Sequence, residues 1–451
     1  MLKDKVKKIH FVGIGGIGMS GIALIMLEMG YTVTGSDIKE NKNISLLRKR
    51  GAKIYIGHSP LNVVDSDVVV YSSAIREDNE ELLQARKLKI PTVSRGEMLA
   101  ELFRIKEGIA VSGSHGKTTT TSMIASILED ADMDPTVIIG GILKRLGSNA
   151  KLGKGNLIVS EADESDGSFL KLTPTIAVIN NIDREHLDFY KSFENIKDSF
   201  LKFANSVPFY GVSILNTDDI YVKTLQDKIN RRMITYGIKS GDVKGENIRI
   251  EGSRYCFDVY YKNSKLGSIK LGIPGIHNIY NALASISVSL ELGIGFPLIR
   301  QALEEFRNAE RRLELKGFVN GNPVYDDYGH HPTEIEAVIK TLREIYPERK
   351  IVLVFQPHRY TRVKLLFRDF ARVLKLPDEC FITEIYPAGE EAIEGVSGYA
   401  LSKECGRYFC KDKEELLEIL HNVKDAVILF MGAGSITKWC EEFVDRFMVK
   451  H

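Results

Sequence analysis

The sequence predicts an α/β protein of three domains. Three observations lead there. The chain has 451 residues, too many for one hydrophobic core. Short apolar runs alternate with helix-period segments from one end to the other. Two glycine-rich loops, starting near Gly13 and Gly113, each follow an apolar run and open a helical pattern.

The bulk numbers exclude several classes. A hydrophobic content of 44% with 27% charged residues is that of an ordinary globular protein. A net charge of +1 gives no global field for nucleic acid or an anionic membrane. Cys256, Cys380, Cys405, Cys410 and Cys440 contain no C-x-x-C pair, which argues for packed thiols in a reducing compartment. The basic start "MLKDKVKK" precedes an apolar run, as in a signal peptide. That run is broken by glycines and Glu28, so strand, turn and helix is the better reading. No other run has spanning length, and a cytoplasmic location is expected.

The first unit opens with "KKIHFVGI" as a buried strand and "MSGIALIMLEMG" as a helix ending at Gly30. "YTVTGSD", "AKIYIG", "DVVVYSS" and "PTVS" continue as strands, with polar helices such as "NEELLQARKLK" between them. The second unit starts at "EGIAVSGSHGKTTTTSMIASILEDA". It continues through the strands "NLIVSEADESD", "PTIAVINNID" and "VSILNTDD". "RYCFDVYYKNSKLGSIKL" alternates as a hairpin with its turn near Asn263 and Ser264, and "HNIYNALASISVSLELG" reads as a helix. The third unit follows "NAERRLELKG", with strands at "NPVYDDYG", "KIVLVFQPH", "ECFITEIY" and "DAVILFMGAGS". Domains 1–106, 107–312 and 313–451 are expected.

The motifs carry the chemistry. Gly13, Gly15 and Gly18 form G-x-G-x-x-G, with Asp37 about 20 residues on, at the end of the next strand. This is the dinucleotide fingerprint, but a tight turn at a helix N-terminus holds any pyrophosphate. "GSHGKT", Gly113 to Thr118, offers backbone N–H groups to phosphate, with Lys117 for the β- and γ-phosphates and Thr118 for Mg²⁺. It is shorter than the common P-loop pattern. "EADESD", Glu161 to Asp166, ends a strand. Alone it reads as a solvated acidic loop, but beside a phosphate loop it suits Mg²⁺. His186 follows another strand end, flanked by Asp183, Glu185 and Asp188. Asn278 and Asn281 share a helix face, and spacing alone makes them a cap and packing residues. "FQPHRYTR" sets Arg359 and Arg362 as an anion clamp, and "DDYGHHPTEI" supplies Asp326, Asp327, Tyr328, His330 and His331.

Together "HFVGIGGIGMSGIA", "YSSAI", "SGSHGKTTTT", "EADESDGSFL", "NIDREHLDFY", "PGIHNIYNALA", "DDYGHHPTEI", "FQPHRYTR" and "YPAGEEAIEGVSG" resemble a Mur ligase, almost end to end. The resemblance implies a Rossmann-like N-terminal domain for a UDP-substrate, a central P-loop ATPase-like domain and a Rossmann-like C-terminal domain. It implies that Gly15, Gly16, Ile17 and Gly18 hold a UDP diphosphate, with Ser36, Asp37, His58, Ser72 and Ser73 near the nucleotide or sugar. It implies ATP at Gly113, Ser114, His115, Gly116, Lys117, Thr118, Thr119, Asn278, Asn281 and Arg312. Mg²⁺ would lie at Thr118, Glu164 and His186, with Lys117, Glu164 and His186 as the catalytic set. Tyr328, His330, Arg359 and Arg362 would form the amino-acid pocket. Ser435 departs from the family's usual acidic or amide residue.

The implied reaction joins L-alanine to UDP-N-acetylmuramate at the expense of ATP, through an acyl phosphate. The implied protein is a monomer or homodimer without nucleic-acid or membrane partners. Three rivals stand beside it: a ligase that recycles a tripeptide onto the same UDP-sugar, a nicotinamide oxidoreductase served by the first loop, and a nucleotide sensor without catalysis.

Overall fold

The computed structural model describes residues 5–143 and 147–448. Three sheets carry the chain. The first has five parallel strands in the spatial order Lys53–Ile56, Thr32–Asp37, Lys8–Val12, Val68–Tyr71, Thr92–Ser94. Chain order reverses beside Lys8–Val12. That switch point opens a crevice at the strands' carboxyl ends. The following helix, Ile17–Glu28, is buried from Met19 to Met26, so it is apolar nearly all round. Gly30, with φ +90°, turns the chain back into the sheet.

The second sheet has ten strands. Its parallel core runs Val243–Glu251, Met233–Gly237, Val212–Asn216, Ile176–Ile179, Glu107–Ser112, Leu157–Glu161, Thr136–Leu143. Short antiparallel pairings extend it, Ser148–Lys151 at one edge and Arg254–Tyr261 with Ser264–Lys270 at the other. The hairpin turn falls on Lys262 and Asn263, both with positive φ, and Ser264 already belongs to the strand. Two left-handed residues make a type I′ turn, whose twist matches the flanking strands. The expected turn thus moves one residue back.

The third sheet has the order Glu314–Val319, Asn322–Asp327, Ala426–Met431, Lys350–Phe355, Glu379–Ile382, Tyr408–Phe409. Only its first pairing is antiparallel.

The chain divides into two compact units. One comprises Met1–Arg249, Arg254–Ile273 and His277–Ala309. The other comprises Glu310–His451 with the short segments Ile250–Ser253 and Pro274–Ile276. In the first unit, apolar residues from both faces of its sheets form the core, such as Phe11, Ile25, Phe169 and Phe200 on one side and Val111, Ile127 and Leu283 on another. In the second unit, Phe355, Phe370 and Leu429 fill one face of the sheet, and Phe430 and Phe443 the other. Four of the five cysteines are buried thiols, and Cys410 is half-buried. No helix among the described residues is long and apolar enough to cross a membrane.

Candidate active site

The first glycine loop leaves the strand Lys8–Val12 at the switch point. Gly13 has φ +79°, and the N–H groups of Gly13 and Ile14 both donate to Ser36 O, at 2.9 and 3.0 Å. Gly15 N–H donates to Asp37 Oδ2 at 2.9 Å. A Cβ on Gly15 would lie 2.5 Å from Asn41 Nδ2 and 2.8 Å from Asp37 Oδ2, so only glycine fits. Gly16 caps the helix without a side-chain hydrogen bond, and the first turn holds no acid. Its orphan N–H groups suit an anion. Ser72 Cβ lies 3.4 Å from the Cβ position of Gly13, and Ser73 is exposed in the same loop.

Ser36 is fully buried, and its hydroxyl donates to Glu81 Oε2 at 2.5 Å. Its part at this site is therefore internal. Glu81 is also fully buried, although it belongs to a helix whose sequence reads as polar. Asn79 caps that helix and turns Glu81 toward the sheet, where Asn62 Nδ2 donates to Oε1 at 2.6 Å. His58 Nδ1 lies 3.1 Å from both Glu81 Oε2 and Ser36 Oγ, and His10 Nε2 lies 3.7 Å from the same carboxylate oxygen. Burial pushes the Glu81 carboxyl up, but the nearby His10 imidazole and the bonds from Ser36 and Asn62 outweigh it and hold the group down at about 2.

The second glycine loop joins Glu107–Ser112 to the helix Lys117–Asp130. Gly113 and Gly116 have φ +137° and +81°. A Cβ on Gly116 would lie 2.5 Å from Asn281 Oδ1. Gly116 caps the helix without a side-chain bond, and again the first turn carries no acid. The strands on either side of Glu107–Ser112 send their carboxyl-end loops to the same place. From Leu157–Glu161 comes Asp163 with Glu164; from Ile176–Ile179 come Asn180, Asn181, Asp183, Glu185 and His186. Asn181 Oδ1 accepts from His115 N at 2.8 Å, and Ser114 Oγ accepts from Asp183 N at 2.8 Å. His115 Nε2 meets Asp183 Oδ2 at 3.0 Å. Thr119 Oγ1 donates to Asn308 Oδ1 and Thr120 Oγ1 to Asn281 Oδ1, while Asn281 Nδ2 donates to Asn278 Oδ1 at 3.0 Å. Asn278 and Asn281 thus brace the loop's helix.

Lys117 Nζ donates to Glu164 Oε1 at 2.7 Å and to the carbonyls of Gly113 and Ser114 at 2.6 and 3.3 Å. Burial lowers the lysine, but Glu164, Asp163 and Glu185 outweigh it and keep the ammonium charged. Burial pushes the Glu164 carboxyl up to about 7, against the pull of Lys117. Glu164 Oε2 is buried and has no hydrogen-bond partner among the described residues. Ligand atoms of Glu164, Glu185 and His186 all lie within 4.8 Å of one another. A buried carboxylate oxygen left open beside a second carboxylate and an imidazole is a donor set that could hold a divalent cation. His186 adopts φ +57°, a left-handed conformation costly for a non-glycine residue. Thr118 is buried in the first turn of the loop's helix. Arg95 crosses from the first loop to this one. Its stem lies 3.2 Å from the Cβ position of Gly18, and its Nη2 pairs with Asp163 Oδ2 at 2.8 Å.

The second unit gathers its own cluster at the carboxyl ends of its parallel strands. Arg311 and Arg312 lie over the Tyr328 ring at 5.1 and 5.3 Å. The His330 ring stands edge-on to Tyr328 at 5.5 Å and 5.6 Å from His358, which stacks on Tyr386. Arg362 Nη1 lies 3.3 Å from His358 Nδ1. Burial, with help from His330, Arg362 and Arg359, lowers the His358 imidazole to about 3, so it is neutral. Arg359 has φ +69° and pairs with Glu390. Burial raises the Asp327 carboxyl to about 6, against Arg312. Ser435 Oγ accepts from Gln356 Nε2 at 3.3 Å.

The structure therefore joins Gly113 to Thr119 with Glu164, His186, Asn278 and Asn281 in one site. It sets Gly15 beside Asp37, and in the second unit Tyr328 beside His330 and Arg312, with Arg362 against His358. Glu185, named in the sequence only as a flank of His186, joins Glu164 and His186 in the structure. Glu81 escaped sequence reasoning, because its helix reads as solvent-facing.

Comparison with known proteins matches three successive family models. The Mur ligase family catalytic domain covers residues 8–107, the Mur ligase middle domain 111–289, and the Mur ligase glutamate ligase domain 311–434. The chain is 61% identical to a UDP-N-acetylmuramate--L-alanine ligase of Aquifex aeolicus and 55% identical to one of a Hydrogenobaculum species. These alignments cover 98% of this chain and at least 98% of each relative. The crystal structure of UDP-N-acetylmuramate-alanine ligase MurC from Thermotoga maritima superposes with a TM-score of 0.84 at 33% identity, over 98% of this chain and 99% of that one. A murein peptide ligase of Psychrobacter arcticus shares the fold, with a TM-score of 0.74 at 24% identity over 99% of this chain and 100% of that one. Likeness of this extent across all three α/β domains has one meaning: the chain belongs to the Mur ligase family.

Proposed function

We propose that the protein is a cytoplasmic ATP-dependent ligase that joins L-alanine to UDP-N-acetylmuramate in peptidoglycan precursor synthesis. The observation that carries this reading is the 61% identity to a UDP-N-acetylmuramate--L-alanine ligase across 98% of the chain. The geometry of both glycine loops supports it.

The three domains, 1–106, 107–312 and 313–451, divide the work. Gly15, Gly16, Ile17 and Gly18 form the diphosphate loop: Asp37 and Gly13 O take the N–H groups of Gly15 and Gly16 and fix the turn, and the N–H groups of Ile17 and Gly18 face the UDP diphosphate. Ser72, Ser73 and His58 lie toward the nucleotide or sugar, and Ser36 acts through its hold on the loop and on Glu81. Gly113 to Thr119 wrap the ATP phosphates, with Arg312, Asn278 and Asn281 serving the same nucleotide. Tyr328, His330, Arg359 and Arg362 receive alanine.

A carboxylate resists attack by an amine because hydroxide leaves poorly. The lactyl carboxylate attacks the ATP γ-phosphorus, the bond to the β–γ bridging oxygen breaks, and ADP leaves an acyl phosphate behind. The alanine amine then attacks the acyl carbon, the C–O bond to phosphate breaks, and inorganic phosphate leaves with the proton balance taken by water. Lys117, held charged by its carboxylate neighbours, disperses charge on the transferring group. Thr118, Glu164 and His186, with Glu185, would hold Mg²⁺. Bound there, the cation would neutralise phosphate charge as a Lewis acid. The arginines hold the alanine carboxylate and so aim its amine.

Phosphate release from ATP and Mg²⁺ tests the reading. It should require both UDP-N-acetylmuramate and L-alanine and yield the alanyl product. Release driven instead by the tripeptide L-Ala-γ-D-Glu-meso-diaminopimelate would identify the recycling ligase. NADH oxidation without phosphate release would return the first loop to redox chemistry.

A further inference from the structure

We propose that Glu81 is a positioning residue that locks His58 in one tautomer, so that His58 Nε2 accepts a hydrogen bond from a neutral donor on the uridine part of the substrate. The inference rests on the reading of the first glycine loop as the UDP site.

Glu81 is a buried carboxylate with no lysine or arginine among its bonded partners. Its Oε1 accepts from Asn62 Nδ2 at 2.6 Å and from Ser59 N at 3.3 Å. Its Oε2 accepts from the Ser36 hydroxyl at 2.5 Å and faces His58 Nδ1 at 3.1 Å. An acceptor oxygen at that distance requires the proton on Nδ1, because two lone pairs facing each other would repel. Ser36 Oγ, its hydrogen already given to Glu81, presents only lone pairs to the same Nδ1. In the neutral imidazole, two acceptors therefore impose one tautomer. His10, the other imidazole in the cluster, is fully buried and has its Nδ1 on Thr34 Oγ1 at 2.9 Å.

His58 is the imidazole of this cluster that reaches solvent, with a side chain 16% exposed, and its Nε2 makes no hydrogen bond among the described residues. In the imposed tautomer that nitrogen is an acceptor. Diphosphate oxygens are acceptors too and gain nothing from it. A uracil imide N–H or a ribose hydroxyl is a donor and matches it. The cluster is joined to the first loop through Ser36, whose carbonyl receives the N–H groups of Gly13 and Ile14. A ligand on the loop thus has its nucleoside within the same strand-end crevice.

The test is ¹⁵N NMR on histidine-labelled full-length protein, with His58 assigned by its loss in His58→Gln. At neutral pH, the free protein should show His58 protonated at Nδ1 and bare at Nε2, and UDP should shift the Nε2 signal. Affinity should fall about tenfold for one of two analogues. Loss with CDP, which lacks the imide N–H, assigns the uracil; loss with 2′-deoxy-UDP assigns the hydroxyl. In Glu81→Gln the KM for UDP-N-acetylmuramate should rise about tenfold with kcat nearly unchanged, and Glu81→Asp should recover part of it. Should Glu81→Gln fail to fold, the wild-type tautomer still decides. A proton on Nε2, in either the free or the UDP-bound protein, overturns the inference. So does UDP that leaves His58 unshifted, or equal affinity for all three nucleotides. Ligase activity dependent on both substrates, alongside any of these, would leave the functional reading standing alone.

Discussion

The two glycine loops of the first unit are built alike and equipped differently. Each follows a buried parallel strand, turns on positive-φ glycine and opens a helix with no side-chain cap and no acid in its first turn. Each therefore presents unfilled N–H groups to an anion. Around the first loop, Asp37, Asn41 and Asn43 bond to Gly15 and fix its backbone, and Arg95 lies against Gly18. The second adds Lys117 against Glu164, an open carboxylate oxygen, and His186 and Glu185 within reach. A helix N-terminus of this kind suits a diphosphate. A charged lysine beside carboxylates that could hold a cation suits the movement of a phosphoryl group. The comparison teaches that a glycine fingerprint specifies the ligand's phosphates, and the side chains around it specify the chemistry.

The largest effect that would break this division is at Lys117. Lys117→Met should lower kcat by about 10²–10³-fold while leaving UDP affinity intact, read by initial rates and calorimetry. Glu164→Gln should lower kcat by about 10²-fold and move the Mg²⁺ titration to higher concentration, because the open oxygen becomes an amide. If its Mg²⁺ requirement is unchanged, the cation lies elsewhere. Gly15→Ala acts on the other loop. Its methyl displaces Asn41 and Asp37, so the KM for UDP-N-acetylmuramate should rise about tenfold or more with the KM for ATP unchanged. Gly116→Ala, at φ +81° and against Asn281, should cost about 1–3 kcal/mol of stability, measured by urea unfolding.

The smallest effect lies in the second unit. Folding lowers the His358 pKa from 6.5 to about 3. Between those values the unfolded chain binds more protons than the folded one, so stability rises with pH across that window. The contribution is complete above about 6.5 and is lost as pH falls toward 3. Urea midpoints measured from pH 7 down to pH 5 should fall, and His358→Gln should flatten that slope.

Fold class was legible because buried parallel strands read as short apolar runs, as in "KIHFV" and "AVILFM". The strand-end motifs were legible for the same reason, since parallel sheets bring their carboxyl-end loops together. Lys117, Glu164 and His186 meet across three adjacent strands although they are far apart in sequence. Glu81 was not legible. Burial of a carboxylate depends on partners from three other segments, at Ser36, His58 and Asn62, and no local pattern announces that convergence. Ser36 was read as a ligand contact for the same reason, because its hydroxyl's true partner is distant in sequence. The turn at Lys262 and Asn263 missed by one residue, as lysine gives no sign of the left-handed conformation it adopts there.

Hydrogen–deuterium exchange of the two loops, with UDP and with Mg²⁺–ADP added separately, tests the division most directly. UDP should protect the amides of residues 13–18 and leave 113–118 unchanged, and Mg²⁺–ADP should do the reverse. Protection of the first loop by Mg²⁺–ADP, or of the second by UDP, would contradict the account.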